Sequence, residues 1–512
     1  MTGRTPKFHT PRPGRSRWIR SGLLVLLGML SSCALMREDS APQPLIAPER
    51  IDLAKDIRLA REGWPPARWW TRYGDAQLDA LIERGLADSP GVRVARDRVE
   101  QARADVQRAR AATQFKAAAF GRVYQQWSDA NGRVGPFSIT DPVPGLDDGG
   151  YNSGARSGTV SSAGIAGSYV FDLWGLQRSA VDATIGAQNA QLAEAAAVEL
   201  EIATAIAQTY FSLQTTLRKI ALLEQTREIL AESVAAMKAR KARGLITQTT
   251  VSKASEQLLQ TEQLLSLART QVISFREALR ALVGAGAEDF AAIQAAPLPP
   301  PQPQLPASLS YALLSHRPDL VVLRWYVESS FDQIDAARAA FYPSFDIKAL
   351  LGFNAIRIDD VLHIDSRQFR LVPGLTLPLF DGGQLNANLR KARTTSNTLI
   401  EQYNQAVLNA VRDVAVAANH VQGMEEQARL EQEKYREVRV GADDANAHRE
   451  RGLVSRVAAL EAQIPLLGEE AQLADTQGKR LAAEITLIKA LGGGYDLPDL
   501  PREEPARERA RP

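Results

Sequence analysis

The 512-residue sequence has a single cysteine. No disulfide framework can form within the chain, so its stability must come from packing. Histidine is almost as scarce. His9, His316, His363, His420 and His448 show no metal-ligand spacing and read as solvated or structural. Excess charge is lacking too: the formal net charge is +2. Six basic residues and no acid lie within 1–22; without them 55 Lys and Arg face 59 Asp and Glu. Such a balance gives no electrostatic case for nucleic-acid binding. A nucleophile elbow and a phosphate loop are absent. Gly284-Ala285-Gly286 lacks the third glycine of a dinucleotide loop and reads as a helix end. The chain therefore reads as non-enzymatic, with no cofactor chemistry. Long hydrophobic runs are missing as well. Leu23–Leu30 is too short to span a bilayer, which takes about 20 apolar residues. After its basic leader it reads as the core of a signal peptide over 1–32.

What is present is a pattern that occurs twice. Tyr169-Val170-Phe171-Asp172-Leu173-Trp174-Gly175 opens a run almost free of helix breakers, and Arg243-Gly244-Leu245-Ile246-Thr247 closes it. Leu379-Phe380-Asp381-Gly382-Gly383 opens a second run, closed by Arg451-Gly452-Leu453-Val454-Ser455. Asp172 and Gly244 are 72 positions apart, Asp381 and Gly452 71. An earlier helix, from Pro90 to about Ala112, aligns without gaps on one beginning at Pro318, 228 residues later. The chain is thus a duplication. Its parts are a tether over 33–74, a first repeat over 75–296, a Pro-rich linker over 297–309, a second repeat over 310–492 and a disordered tail over 493–512. The Gly-, Asp- and Pro-rich stretch 128–163 reads as a loop.

Each repeat holds a strand pair, at about 116–127 and 160–172, then at about 343–354 and 368–380. In 345–353 the odd positions are Phe, Ile, Ala, Leu and Phe, and Asp346 and Lys348 fall between them. Alternation over about 10 residues is the signature of a transmembrane strand, and for any single segment a half-buried strand of a soluble sheet is the commoner source of it. In lipid a sheet must close, and four strands cannot. Two chains would pool eight strands and three would pool twelve, the latter leaving room for a lumen. The helices carry narrow seams. Ile202, Ile206, Tyr210, Leu213 and Leu217 form one stripe; Leu258, Leu265, Val272 and Leu279 recur at sevens, like a coiled coil. A helix of about 67 residues rises about 100 Å, too long for a compact domain.

The duplicated halves, the Phe-Asp junctions, Arg317-Pro318-Asp319 and the Gly-Leu-x-(Ser/Thr) tips resemble the TolC/OprM-type outer-membrane efflux family over almost all of 65–492. Leu30-Ser31-Ser32-Cys33 resembles a bacterial lipobox and places the chain near the NodT-like lipoprotein branch. The resemblance implies a mainly α fold with a membrane β-barrel, pooled in a homotrimer as a 12-strand β-barrel on a 12-helix α-barrel. It implies a passive conduit for small molecules, such as drugs, across periplasm and outer membrane. The implied partners are an inner-membrane efflux pump and a periplasmic adaptor (membrane fusion protein). Cys33 would carry N-acyl (palmitate) and S-diacylglycerol groups, and Ala34 after it favours sorting to the outer membrane.

As folding chemistry, Gly244 and Gly452 are expected as left-handed helix caps, with Thr247 and Ser455 capping the helices that follow. By the resemblance Arg243, Gly244, Leu245, Thr247, Arg451, Gly452, Leu453 and Ser455 dock the adaptor. It further implies a periplasmic gate at Val457 and Glu461, with Glu461 where the family more often has Asp. Three Glu461 side chains around an axis would form a charge ring, and Pro465 would kink the helix beside it. The competing reading is a lipid-anchored periplasmic coiled-coil adaptor or scaffold. An adaptor should have one hairpin and many short strands, whereas this chain has two hairpins and two strand pairs.

Overall fold

The computed structural model describes residues 36, 43–45, 65–127, 157–284, 290, 293–300, 317–355, 358–360 and 362–495. The signal segment, Cys33, most of the linker and residues 128–156 and 496–512 lie outside them. In chain order the elements are a short 3-10 turn, Trp69–Tyr73, then α1 (Ala76–Asp88), α2 (Pro90–Ala112), β1 (Lys116–Trp127) and β2 (Ser157–Phe171). The first long hairpin is α3 (Leu176–Ala242) and α4 (Gln248–Val283). The second repeat gives α5 (Pro318–Ala339), β3 (Ser344–Ala355) and β4 (Arg367–Thr376). It ends with α6 (Gln384–Glu450), α7 (Arg456–Glu461) and α8 (Ile464–Ala490). Both α3 and α6 have 67 residues. Among the described residues no helix is long and apolar enough to cross a membrane.

The Phe-Asp junctions have a local cause. Asp172 accepts the backbone N–H of Arg178 at 2.8 Å, and Asp381 accepts those of Leu385 at 2.6 Å and Gly383 at 2.9 Å. Each carboxylate satisfies orphan donors in the first turn of a long helix. The N–H groups of Leu385 and Gly383 hold the Asp381 carboxyl below the usual carboxylate range.

The chain divides into two compact units. The first comprises 104–185 and 328–398 together with the N-terminal residues to Gln43. Its centre is one four-stranded antiparallel sheet in the order β1-β2-β3-β4. A small cluster of Ile334, Phe341 and Leu389 packs nearby, with Met36 against it. β2 starts at Ser157, so residues 157–163, expected as part of a loop over 128–163, are strand. β4 stops at Thr376 instead of about 380, because Asp381 and the left-handed Gly382 and Gly383 already begin the helix cap.

The second unit comprises 44–103, 186–327 and 399–512. Its main core joins Trp69, Trp70 and Tyr73 to Ile206, Tyr210, Phe211 and Leu213 of α3, Leu279 of α4, and Leu481, Ile485 and Ile488 of α8. Of the expected α4 seam, Leu265, Val272 and Leu279 are buried and Leu258 is half-buried. The tether therefore ends in a packed turn, with Trp69 1% exposed. At the other end Gly493 and Gly494 are buried against Leu200 and Pro66, so the expected tail does not begin at 493.

Candidate membrane face, docking tips and gate

The sheet register decides which side chains share a face. Opposed residues on paired strands point the same way, and neighbours along a strand point oppositely. Ala119 opposes Ile165, Ile165 opposes Leu351, and Leu351 opposes Phe369. Phe171 opposes Phe345, which opposes Leu375. Odd-numbered residues of all four strands therefore line one face, and that face is mostly apolar. It is also open, with Ile165 56%, Leu351 61% and Phe369 72% exposed. The even-numbered face carries Arg122, Ser162, Asp346, Lys348, Gln368 and Arg370. Lys348 lies 3.9 Å from Asp346. A greasy exposed face backed by a polar one is the pattern of a strand between lipid and a wet lumen.

The polar face is also pared back. Gly164 opposes Gly352 across β2 and β3. A Cβ on Gly164 would stand 2.5 Å from the Leu351 carbonyl oxygen, and one on Gly352 would stand 2.4 Å from that of Ala163. At the strand bases Trp174 stacks on Tyr342 at 4.9 Å and donates to the Pro343 carbonyl at 2.8 Å. Phe380 beside the second junction is 93% exposed. Aromatic residues where strands end mark a bilayer interface.

The two hairpin tips, both in the second unit, are built alike. Gly244 has φ +72 and Gly452 φ +74. The N–H of Leu245 reaches the Arg240 carbonyl at 3.0 Å, and that of Leu453 reaches the His448 carbonyl at 2.9 Å. With the bonds Gly244 to Lys241 and Gly452 to Arg449, each tip is a Schellman cap. Thr247 then accepts from the Thr250 N–H, and Ser455 from that of Ala458. No large apolar side chain precedes the cap to cover the leucine that follows it. Arg240 and His448 occupy the partner positions, and Leu245 and Leu453 are each 65% exposed.

Val457 and Glu461, both half-buried, lie on α7 just beyond the second tip. The expected kink at Pro465 is a full break earlier. α7 ends at Glu461 and α8 starts at Ile464, with Pro465 in its first turn. Pro465 has no N–H for the Glu461 carbonyl, so the helix stops four residues before the proline. The side chain of Glu461 is held within its own chain by the Ser233 hydroxyl of α3. Arg456 pairs with Glu232 at 2.9 Å. Farther along the same seam Arg218 pairs with Glu470 and Lys219 with Asp475, each at 3.1 Å. Ser233 and Glu232 were not legible as site residues, because no local motif links them to positions more than 220 residues away.

The sequence profile described as outer membrane efflux protein matches residues 81–285 and 309–493. The multidrug resistance outer membrane protein MdtP of Shigella flexneri is 45% identical over 480 residues, which are 94% of this chain and 97% of that protein. MdtQ of Escherichia coli, also described as a multidrug resistance outer membrane protein, is 33% identical over 92% of this chain and 97% of its own length. The outer membrane protein VceC of Vibrio cholerae superposes with a TM-score of 0.71 at 27% identity, covering 85% of this chain and all of that one. The Campylobacter jejuni CmeC outer membrane channel gives a TM-score of 0.76 at 19% identity, covering 90% of this chain and 95% of its own, a likeness of fold. With the profile spanning both repeats and near-complete relatives above 30% identity, the chain belongs to the outer membrane efflux protein family.

Proposed function

We propose that three copies of this chain form a closed conduit that passes drug-like small molecules from an inner-membrane pump and a periplasmic adaptor across the outer membrane. One observation carries the reading: the exposed apolar face of the sheet, bounded by β1 and β4. Among the described residues no further strand pairs with the outer edge of either. Unpaired edges are not tolerated in lipid, so β4 of one copy must meet β1 of the next, and three copies bring twelve strands. No catalytic role is assigned to the chain, and its work is that of a passive tunnel.

Cys33 would anchor each copy through its thioether-linked diacylglycerol and acylated amine. The packing of Met36 supports this. It sits against Phe341, three residues before β3. Three extended residues reach about 10 Å, so the lipid would enter the bilayer beside the strand bases. The exposed Leu245 and Leu453, with their caps, would dock the adaptor.

Val457 and Glu461 would form the gate. The α3 seam is strong where Ile206, Tyr210 and Leu213 meet Leu481, Ile485 and Ile488. Toward the tips it is held by half-exposed ion pairs, worth about 0–1 kcal/mol each. A seam weakest at one end opens at that end. Glu461→Ala and Ser233→Ala should each raise single-channel conductance or the leakage of large antibiotics, because both remove the same tie. Unchanged values for both variants would discard the gate.

The conduit itself is tested in the host. Deleting the gene should increase dye and drug accumulation, and the wild-type gene should restore export. Cysteines placed at Leu245 and Leu453 should cross-link to a periplasmic adaptor. Unaltered accumulation together with no cross-link would refute the reading.

A further inference from the structure

The tips differ from the rest of the second unit in their charge. Residues 233–255 contain Lys238, Arg240, Lys241, Arg243 and Lys253 and no acid. All five are exposed. Lys241 donates to Gln248 across the turn. On the second tip Arg449 and Arg451 are exposed with Glu450 between them, and Asp443 and Asp444 lie within two turns before them. Several basic residues farther along these hairpins are neutralised: Arg218, Lys219, Arg269 and Arg429 each meet a carboxylate within 3.1 Å. Among the described residues Lys238, Arg240, Arg243, Lys253, Arg449 and Arg451 meet none. The two hairpins are tied together just behind the tips, by Arg456 on Glu232 and Ser233 on Glu461. One surface therefore presents unpaired cations around two bare leucines.

We infer that this surface selects a protein partner with an acidic rim around an apolar socket. The inference rests on the reading of the tips as the adaptor's docking site and adds what that adaptor must carry. The leucines supply apolar contact that any hairpin end with a socket can accept. The cations supply the discrimination. Like charges facing them are repelled, and opposite charges speed encounter and fix register. Exposed charges act over about one Debye length, roughly 10 Å at 0.1 M salt, so the selection weakens as salt rises.

The test uses the full-length channel in nanodiscs and the soluble part of the adaptor recovered by the cross-linking above. Affinity is measured at 50 and 500 mM NaCl for wild type, for Arg240→Glu/Arg243→Glu/Arg451→Glu and for Leu245→Ala/Leu453→Ala, each checked for intact trimer. Vesicles of phosphatidylcholine with one quarter phosphatidylglycerol serve as a second anionic probe. The inference expects at least tenfold weaker binding of wild type at high salt. It also expects at least tenfold weaker binding of the charge-reversed channel at low salt, with the two converging at high salt. Charge variants that bind like wild type while the leucine variant weakens would overturn the acidic partner and leave the docking site standing. If neither set alters binding, the docking reading fails and the inference with it. Salt-dependent binding to the vesicles but not to the adaptor would assign the patch to lipid and overturn it.

Discussion

Leu351→Arg should abolish assembly of the channel in the outer membrane. Leu351 lies in the middle of β3, 61% exposed, with Ile165 and Phe369 on either side of it on the apolar face. An arginine facing the bilayer midplane costs about 2–4 kcal/mol, and three copies multiply that to about 6–12 kcal/mol per barrel. The control is Gln368→Arg, one residue from Phe369 on the opposite, polar face. That change should leave assembly intact and alter only conductance. The readout is the SDS-resistant oligomer in outer-membrane fractions. Equal recovery of the two variants would mean that the odd-numbered face does not meet lipid.

The second large effect lies at the buried charge cluster of the helical unit. Glu484 is 3% exposed. It stands 3.5 Å from Arg480 and 3.6 Å from Arg72, which belongs to the packed N-terminal turn. Removing the carboxylate takes an enclosed counter-charge from Arg480 and Arg72, and breaking a buried pair in this way costs about 3–5 kcal/mol. Glu484→Ala should therefore lower the guanidinium midpoint for loss of helical signal, and Glu484→Gln should lower it less. The same residue sets a pH dependence. Burial raises the Glu484 pKa against the pull of Arg480 and Arg72. The folded state then holds a proton that the unfolded chain has already released. Its contribution to stability falls as pH rises from the ordinary carboxylate pKa to the raised one, and is flat above that. Glu484→Gln should remove this slope. An Ala variant as stable as wild type would show that the cluster does not clamp the N-terminal turn.

Features carried by local periodicity were legible in the sequence. The long hairpins, their glycine tips and the four strands each follow from spacing within a few tens of residues. The Phe-Asp junctions were legible as a repeat, but their cause, a carboxylate capping each long helix, needed the backbone. What the sequence concealed depends on distant partners. Trp69, Trp70 and Tyr73 sit in a short polar stretch that reads as tether. They become core only because Phe211 and Leu481 arrive from far along the chain. Ser233 looks like any helical serine until Glu461 is placed on it. The proline at 465 announced a disturbance, but its position one turn past the break follows from the missing N–H four residues on. Glycines 493 and 494 have the composition of a tail, yet they are buried because only glycine fits against Leu200 and Pro66 there.

The most direct test of the conduit is the mass of the mature protein extracted in mild detergent, with bound detergent subtracted. The account predicts three chains, since twelve strands close a barrel wide enough for a lumen. A single chain, under conditions in which cross-linking before extraction also yields only monomer, would contradict it.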